Sequence, residues 1–213
     1  MKRISLEGMD TSCLDKYGVD LSEYGAVCCY PGERLTVQGE KVDFFYMVLK
    51  GRAKVFVSSE NGRTLMLAKS ESGDVVSEAE LVRYIRTAMA TTIAETYMVC
   101  LAVPMSRAEY ELTHNIKFSN EIARVISEKL FYSSNNCLST AVRTGEQRLC
   151  EYLLLNAKDN ILHGTLTDAA DSIGISYRHL CRMMKALTEE GTVVKIGGKY
   201  HIKDRDVLAG KAY

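Results

Sequence analysis

The sequence predicts an α+β chain in three successive parts: a β-roll (jelly roll), one long helix and a winged helix-turn-helix. Three observations lead there. Glycines at 32, 39, 51, 62 and 73 divide short apolar runs at roughly ten-residue intervals, the spacing of an antiparallel sandwich or barrel. Beyond Pro104 the apolar residues recur every three to four positions instead of every two, which is the period of a helix. Near the end, two capped helical patterns flank Gly174, and a Gly-Gly hairpin follows.

Composition sets the outer bounds. Of 213 residues, 46% are hydrophobic and 25% charged, as in an ordinary globular protein. Lysines and arginines balance aspartates and glutamates at 27 each. That excludes a surface that is one polyanion clamp but leaves room for a local basic face. The basic start, Met1-Lys2-Arg3, has no apolar run behind it, and no stretch reaches the length of a membrane span, so a cytoplasmic protein is expected. The seven cysteines, at 13, 28, 29, 100, 137, 150 and 181, form no Cys-x-x-Cys pair and are expected to be free thiols. The four histidines, at 114, 163, 179 and 201, are scattered, so no metal site is expected.

Taken in order, Phe44 to Leu49, Ala53 to Val57 and Thr64 to Ala68 read as strands. Asn61-Gly62 marks a hairpin, since both turn positions need φ > 0. Thr91 to Val103 reads as strand too. Cys28 and Cys29 alternate on a strand, so their thiols should point apart. Ser106 with Glu109 has the form of a capping box and should open a short helix. A longer helix is expected from about Ile116 to Val142. On it Ile122, Val125, Ile126, Lys129, Leu130 and Cys137 recur at three- and four-residue steps. Such a stripe can pack on its own domain or form a seam between two subunits. The length of the helix in so small a chain favours a dimer seam of Ile122, Val125, Ile126 and Leu130. Thr144 with Gln147 forms a second capping box, opening a helix to about Asn156, and Lys158 to Gly164 reads as a polar connector. The expected divisions are 1–115, 116–143 and 144–213.

Leu166 to Glu190 has the spacing of a helix-turn-helix. Thr167 is expected to cap the first helix, with Ala169, Ala170 and Ile173 on its apolar side. Gly174 supplies the permissive backbone of the turn, and Ser176 caps the second helix. There Leu180, Met183, Met184 and Leu187 point to the core, while Tyr177, Arg178, Cys181, Arg182 and Lys185 occupy other faces. Residues 172–203 carry six lysines and arginines against two glutamates, inside a chain that is neutral overall. A recognition helix presents side chains from its N-terminal part to base edges. The arginine fork suits guanine O6 and N7 together. These features point to binding of double-stranded DNA.

The segment Gly174-Ile175-Ser176-Tyr177-Arg178-His179-Leu180-Cys181-Arg182-Met183-Met184-Lys185 resembles the recognition-helix pattern of the CRP/FNR family of transcription regulators. In the first half, Gly39-Glu40, Tyr46 to Ala53 and Gly73-Asp74 resemble the cyclic-nucleotide-binding β-roll of the same family. Gly51-Arg52-Ala53, Asn61-Gly62-Arg63, Leu101 to Met105 and Ser176 to Leu180 are similar to the YeiL-like branch of that family. The resemblance implies that Tyr177, Arg178 and Arg182 read bases, and that Thr167, Ser176 and Lys185 contact the DNA backbone. It also implies a homodimer on a near-palindromic operator, in contact with RNA polymerase.

The resemblance weakens at the effector cassette. Nucleotide binders of the family carry Gly-Glu-apolar-small-Leu and then an Arg followed by a small residue. The Glu takes the ribose hydroxyl, and the Arg takes the phosphate with the cassette's helix N-terminus. Here the segment reads Ser77-Glu78-Ala79-Glu80-Leu81, with Arg86-Thr87-Ala88 about two residues early. Glu78, Arg86 and Thr87 are the candidate pocket residues. If the downstream strand sets the register, Ala88-Met89 stands in their place and no arginine is available. Glu80 adds a carboxylate where a phosphodiester would sit. The expected function is a homodimeric DNA-binding regulator that does not bind cyclic AMP, with no cofactor or effector assigned. The alternatives are a regulator that does bind cAMP or cGMP, and a ligand-binding module with a degenerate DNA-binding domain. The sequence contains no nucleophile elbow, P-loop or kinase signature, so no enzyme and no catalytic residue is expected.

Overall fold

The computed structural model describes residues 1–59 and 64–213, the side chains of 136–141 excepted. The Asn61-Gly62 turn and the Cys137 side chain lie outside the described residues. The chain falls into two compact units, Met1–Ser58 with Leu67–Ser133 and Ser59–Met66 with Ser134–Tyr213.

The N-terminal half contains β1 (Lys2–Ile4), a 3₁₀ turn (Ser12–Tyr17), β2 (Gly25–Cys29), β3 (Arg34–Thr36), β4 (Phe44–Lys50), β5 (Arg52–Ser58), β6 (Thr64–Glu71), β7 (Val75–Val76), α1 (Glu78–Val82), β8 (Thr91–Ala94), β9 (Met98–Pro104) and α2 (Met105–His114). The strands form a five-stranded sheet, β1-β2-β9-β4-β7, and a four-stranded sheet, β3-β8-β5-β6. Both faces of the five-stranded sheet are covered. Cys28, Phe45, Met47, Val99 and Leu101 belong to one buried cluster, with Phe118, Ile122 and Val125. Val27, Cys29, Tyr46, Val48 and Cys100 belong to another, with Ala53 and Ala94 of the second sheet. Cys28 and Cys29 thus point apart, as their place on a strand requires. Burial pushes the Cys29 and Cys100 thiols up from their ordinary values, which suppresses the reactive thiolate.

Two expectations need correction here. Thr91–Val103 is two strands in different sheets, broken at Glu95-Thr96-Tyr97. The β4–β5 turn presses on that break. At Gly51, with φ +93, a Cβ would lie 2.4 Å from the Tyr97 carbonyl oxygen, so only glycine fits. The Ser106–Glu109 capping box does not form either. Helix α2 begins at Met105 behind Pro104 with no side-chain cap. Its first amide, from Met105, donates to the Asp43 carbonyl at 2.9 Å, and the Glu109 carboxylate is engaged by Arg86.

Helix α3 runs Ile116–Val142, and its apolar stripe divides. Ile122 is 1% exposed and Val125 is 3% exposed, both inside the core of their own roll. They leave no surface for a second subunit, which corrects their assignment to a dimer seam. Ile126 packs at the margin of that core, and Leu130 is 64% exposed. The sequence pattern alone could not separate a stripe facing the sheet from one facing outward, because each recurs at the same three- and four-residue steps.

The C-terminal half contains α4 (Gly145–Asn156), β10 (Ala157–Lys158), β11 (Ile161–Leu162), α5 (Leu166–Ile173), α6 (Tyr177–Glu189), β12 (Val193–Ile196), β13 (Lys199–Ile202) and α7 (Arg205–Ala212). The four strands form one sheet, β10-β11-β13-β12. The supposed polar connector is a hairpin. Asp159 and Asn160 take φ of 51° and 60°, and such residues tolerate this conformation in a two-residue turn. Helix α7, not anticipated from the sequence, is capped by Asp204, whose side chain accepts from the Val207 amide. It contributes Leu208 and Ala212 to a core with Leu149, Leu153, Leu180, Met184 and Leu187. Among the described residues no helix is long and apolar enough to cross a membrane.

Candidate nucleic-acid interface and effector cavity

The helix-turn-helix is α5, Gly174 and α6. Its first cap lies two residues earlier than expected. Thr165, not Thr167, accepts from the Asp168 amide, and the Asp168 carboxylate accepts from the Thr165 amide in return. Thr165 has an acidic residue three positions on and Thr167 does not, so the reciprocal bond selects it. Thr167 sits exposed in the first turn of α5. Gly174 ends α5 with φ 68°. Ser176 caps α6 by accepting from the His179 amide at 3.2 Å.

Helix α6 buries Leu180, Met184 and Leu187 and keeps Met183 at the core's margin. Its exposed residues include Tyr177, Arg178, Arg182 and Lys185. Arg178, Arg182 and Lys185 follow one another at steps of four and three, so they share a face. Lys185 meets Glu189 at 3.6 Å across an exposed turn, a pair worth little in water. Among the described residues no ion pair involves Arg178 or Arg182. The side chain of Cys181, one turn on from Tyr177, raises the phenol above its ordinary pKa. Behind α6, β12 and β13 pair in register from Val193 with Ile202 to Ile196 with Lys199. Gly197 and Gly198 both take positive φ in the turn, 57° and 80°, as a tight hairpin requires. Lys195 lies over the Tyr200 ring in this wing.

The effector cassette follows β7. Ser77 stands in the left-handed region at φ 73° and leads into α1. Glu78 and Glu80 both line a cavity of about 260 Å³ under that turn. The Glu78 carboxylate meets the Lys129 ammonium at 2.9 Å, and Lys129 also donates to the Val75 carbonyl at 2.8 Å. Among the described residues Lys129 is the only cationic side chain on the wall. The Glu80 carboxylate is 6% exposed and accepts from the Met89 amide at 2.7 Å.

Arg86 and Thr87 are not at this cavity, which corrects their place among the pocket residues. Met89 and Ala90 line it instead. The strand after the cassette therefore fixes the register, and an arginine placed early is carried outside. There the Arg86 guanidinium forms a two-pronged pair with Glu109 at 2.6 and 2.8 Å. The hydrogen bond to Glu109 raises the Arg86 pKa, and the bond to Arg86 lowers that of Glu109. Thr87 is exposed and bridges Lys41.

Comparison with known proteins agrees with this layout. A family model described as a cyclic nucleotide-binding domain matches residues 27–114. A Crp-like helix-turn-helix domain model matches residues 147–210. The chain is 25% identical over 175 residues to regulatory protein YeiL of Escherichia coli O157:H7, covering 82% of this chain and 80% of that protein. The fold is shared with the global regulator CLP of Xanthomonas campestris, at a TM-score of 0.77 and 16% identity over 91% of this chain and 99% of that one. It is shared also with a CRP/FNR-family transcriptional regulator from Eubacterium rectale, at a TM-score of 0.76 and 17% identity over 98% of each chain. With both matched domains in this order and the likeness to a regulatory protein running through both, the chain belongs to the CRP/FNR family of DNA-binding transcription regulators.

Proposed function

We propose that the chain acts in the cytoplasm as a homodimer on a near-palindromic operator, in contact with RNA polymerase, and that its β-roll does not bind cyclic AMP. The single observation that carries the DNA-reading part is the exposed cationic face of α6, set over a fully buried apolar face. Arg178 and Arg182 present their forks to base edges with Tyr177 beside them. Ser176, Thr167 and Lys185 serve the phosphate backbone.

The dimer reading moves to a different stripe of α3. Ile116, Asn120, Ala123, Ser127, Leu130 and Ser134 are all exposed and recur at alternating steps of four and three, the seam of a two-stranded coiled coil. Leu130 is thus retained from the predicted seam, with Ile126 at its edge. Small residues at 123 and 127 would let two helices approach closely.

Against cyclic AMP stand the cavity's charges: Glu78 already holds Lys129, Glu80 adds a second carboxylate, and Arg86 is spent outside on Glu109. Selection of bound sequences from a random DNA pool, with and without cyclic AMP, tests the whole reading. A palindromic consensus unaffected by the nucleotide is expected. A non-palindromic consensus, or one that appears only with cyclic AMP, would overturn it.

A further inference from the structure

The cavity under α1 is below the roughly 300–1,000 Å³ of sites for drug-sized ligands, at about 260 Å³. Val55, Leu67, Val76, Met89, Ile126 and Leu130 make most of its wall apolar. Its polar end is incomplete. Among the described residues, the one hydrogen bond to the buried Glu80 carboxylate comes from the Met89 amide, and a buried carboxylate with few donors is costly. Ser77, 5% exposed and on the same wall, has a hydroxyl with no partner among the described residues. It is held at φ 73°, a conformation that a residue with a side chain adopts only at a cost. Ser77, the left-handed N-cap of α1, and Glu80, three residues on, both line the cavity. Lys129 is bonded to Glu78 and to the Val75 carbonyl.

We propose that this cavity binds a compact, mostly apolar molecule with one cationic head, of the primary-amine class. The ammonium is held by Glu80 and Ser77, and the body lies against Val55, Leu67 and Met89. The proposal rests on the reading that the roll does not take a cyclic nucleotide. An ammonium has three donors and no acceptor, which matches a carboxylate and a hydroxyl oxygen lacking donors. A neutral alcohol would satisfy the hydroxyl but leave the carboxylate's charge unpaired. A carboxylate or phosphate would add negative charge beside Glu80.

Three molecules with the same ring and different charge test this on the full-length chain: benzylamine, benzyl alcohol and benzoate, with binding followed by ligand-observed NMR and calorimetry. Benzylamine is expected to bind about tenfold more tightly than the alcohol, as a charge-assisted bond would give, and benzoate not to bind. Glu80→Gln keeps a carbonyl oxygen for the Met89 amide and should bring amine and alcohol to equal affinity. Should that variant fail to fold, Ser77→Gly, which suits the backbone there, carries the test. A severalfold loss of amine affinity in it supports the proposal, and no loss overturns it. Benzoate binding as tightly as benzylamine, amine affinity unchanged in folded Glu80→Gln, or no benzylamine binding would each overturn it as well. A cyclic AMP titration separates the two readings. Binding of cyclic AMP sinks the no-nucleotide reading and this proposal with it, whereas absence of both amine and nucleotide binding sinks only this one.

Discussion

The recognition helix and the effector cassette hold their cations in opposite ways. On α6, Arg178 and Arg182 stand exposed, with no ion pair among the described residues. In the roll, Arg86 is clasped by Glu109 and Lys129 by Glu78. An anion approaching α6 meets open forks. An anion approaching the roll would have to break an existing pair and then share the space with Glu80. A residue of the right type at nearly the right spacing is therefore not yet a site. What decides is whether its counter-charge comes from within the fold or from outside. The same contrast holds for apolar groups on α3, where Ile122 has its partners within the roll and Leu130 is exposed.

The largest effects should come from that last contrast. Ile122→Glu places a charge in a packed core, where an uncompensated charge costs about 3–5 kcal/mol. It is expected to unfold the roll, read as a lost thermal transition. Leu130→Glu and Ala123→Glu alter exposed positions instead. They should give folded monomers by sedimentation and weaken binding to a palindromic site by about 100-fold or more, because the second half-site no longer binds intramolecularly. Folded monomers from Ile122→Glu, or dimers from both exposed variants, would return the seam to the stripe that the structure buries.

Next in size is the cationic face of α6. Arg182→Ala is expected to weaken specific binding by about 1–3 kcal/mol and to relax one base position in each half-site. Lys185→Ala should weaken all sequences about equally and reduce the salt slope by about one. Binding at several salt concentrations, on operator and random DNA, separates the two. Equal loss on both DNAs for Arg182→Ala would show that it contacts only phosphate.

What was legible in the sequence follows from the range of the interactions involved. The caps at Thr144 and Ser176, the Gly174 turn and the Gly197-Gly198 hairpin are local, each fixed within four residues, and each was readable. The face of α3 that packs on the roll was not, because both of its stripes have helical period and only the sheet decides between them. The place of Arg86 was not settled either. It depends on a cassette and a strand in register across a dozen residues, and the two candidate registers differ by only two positions. Helix α7 was missed because its buried face is only Leu208 and Ala212, too few to show a period.

The cap at α5 offers a smaller test of the same lesson. Thr165→Ala removes an oxygen that accepts the Asp168 amide, and loss of such a cap costs about 1 kcal/mol. Thr167→Ala should leave stability unchanged within error and show itself only in DNA affinity. Chemical denaturation of the two variants side by side reads the difference. Equal stability loss would mean that the first turn is held by something other than the Thr165–Asp168 pair.

The smallest effect, and the sharpest use of the comparison, is to make in the roll the substitution already proposed for α6. Arg86→Ala removes a guanidinium whose side chain is 40% exposed, and solvent screens its pair with Glu109, so the stability lost at neutral pH should be only about 0–0.5 kcal/mol. No binding property should change, because Arg86 does not line the cavity. The pH dependence carries the signature. Glu109 has its folded pKa lowered, first by the hydrogen bond from Arg86, below its ordinary value of 4.5. Its contribution is therefore present above that value and is lost as pH falls through the folded pKa. The small difference between wild type and Arg86→Ala should persist at neutral pH and vanish in acid below the folded pKa of Glu109. Thermal melts of both proteins across that range give the measurement. A gap that widens in acid, or a change in ligand affinity at neutral pH, would mean that Arg86 serves the cavity after all, and the contrast between the two regions would fail.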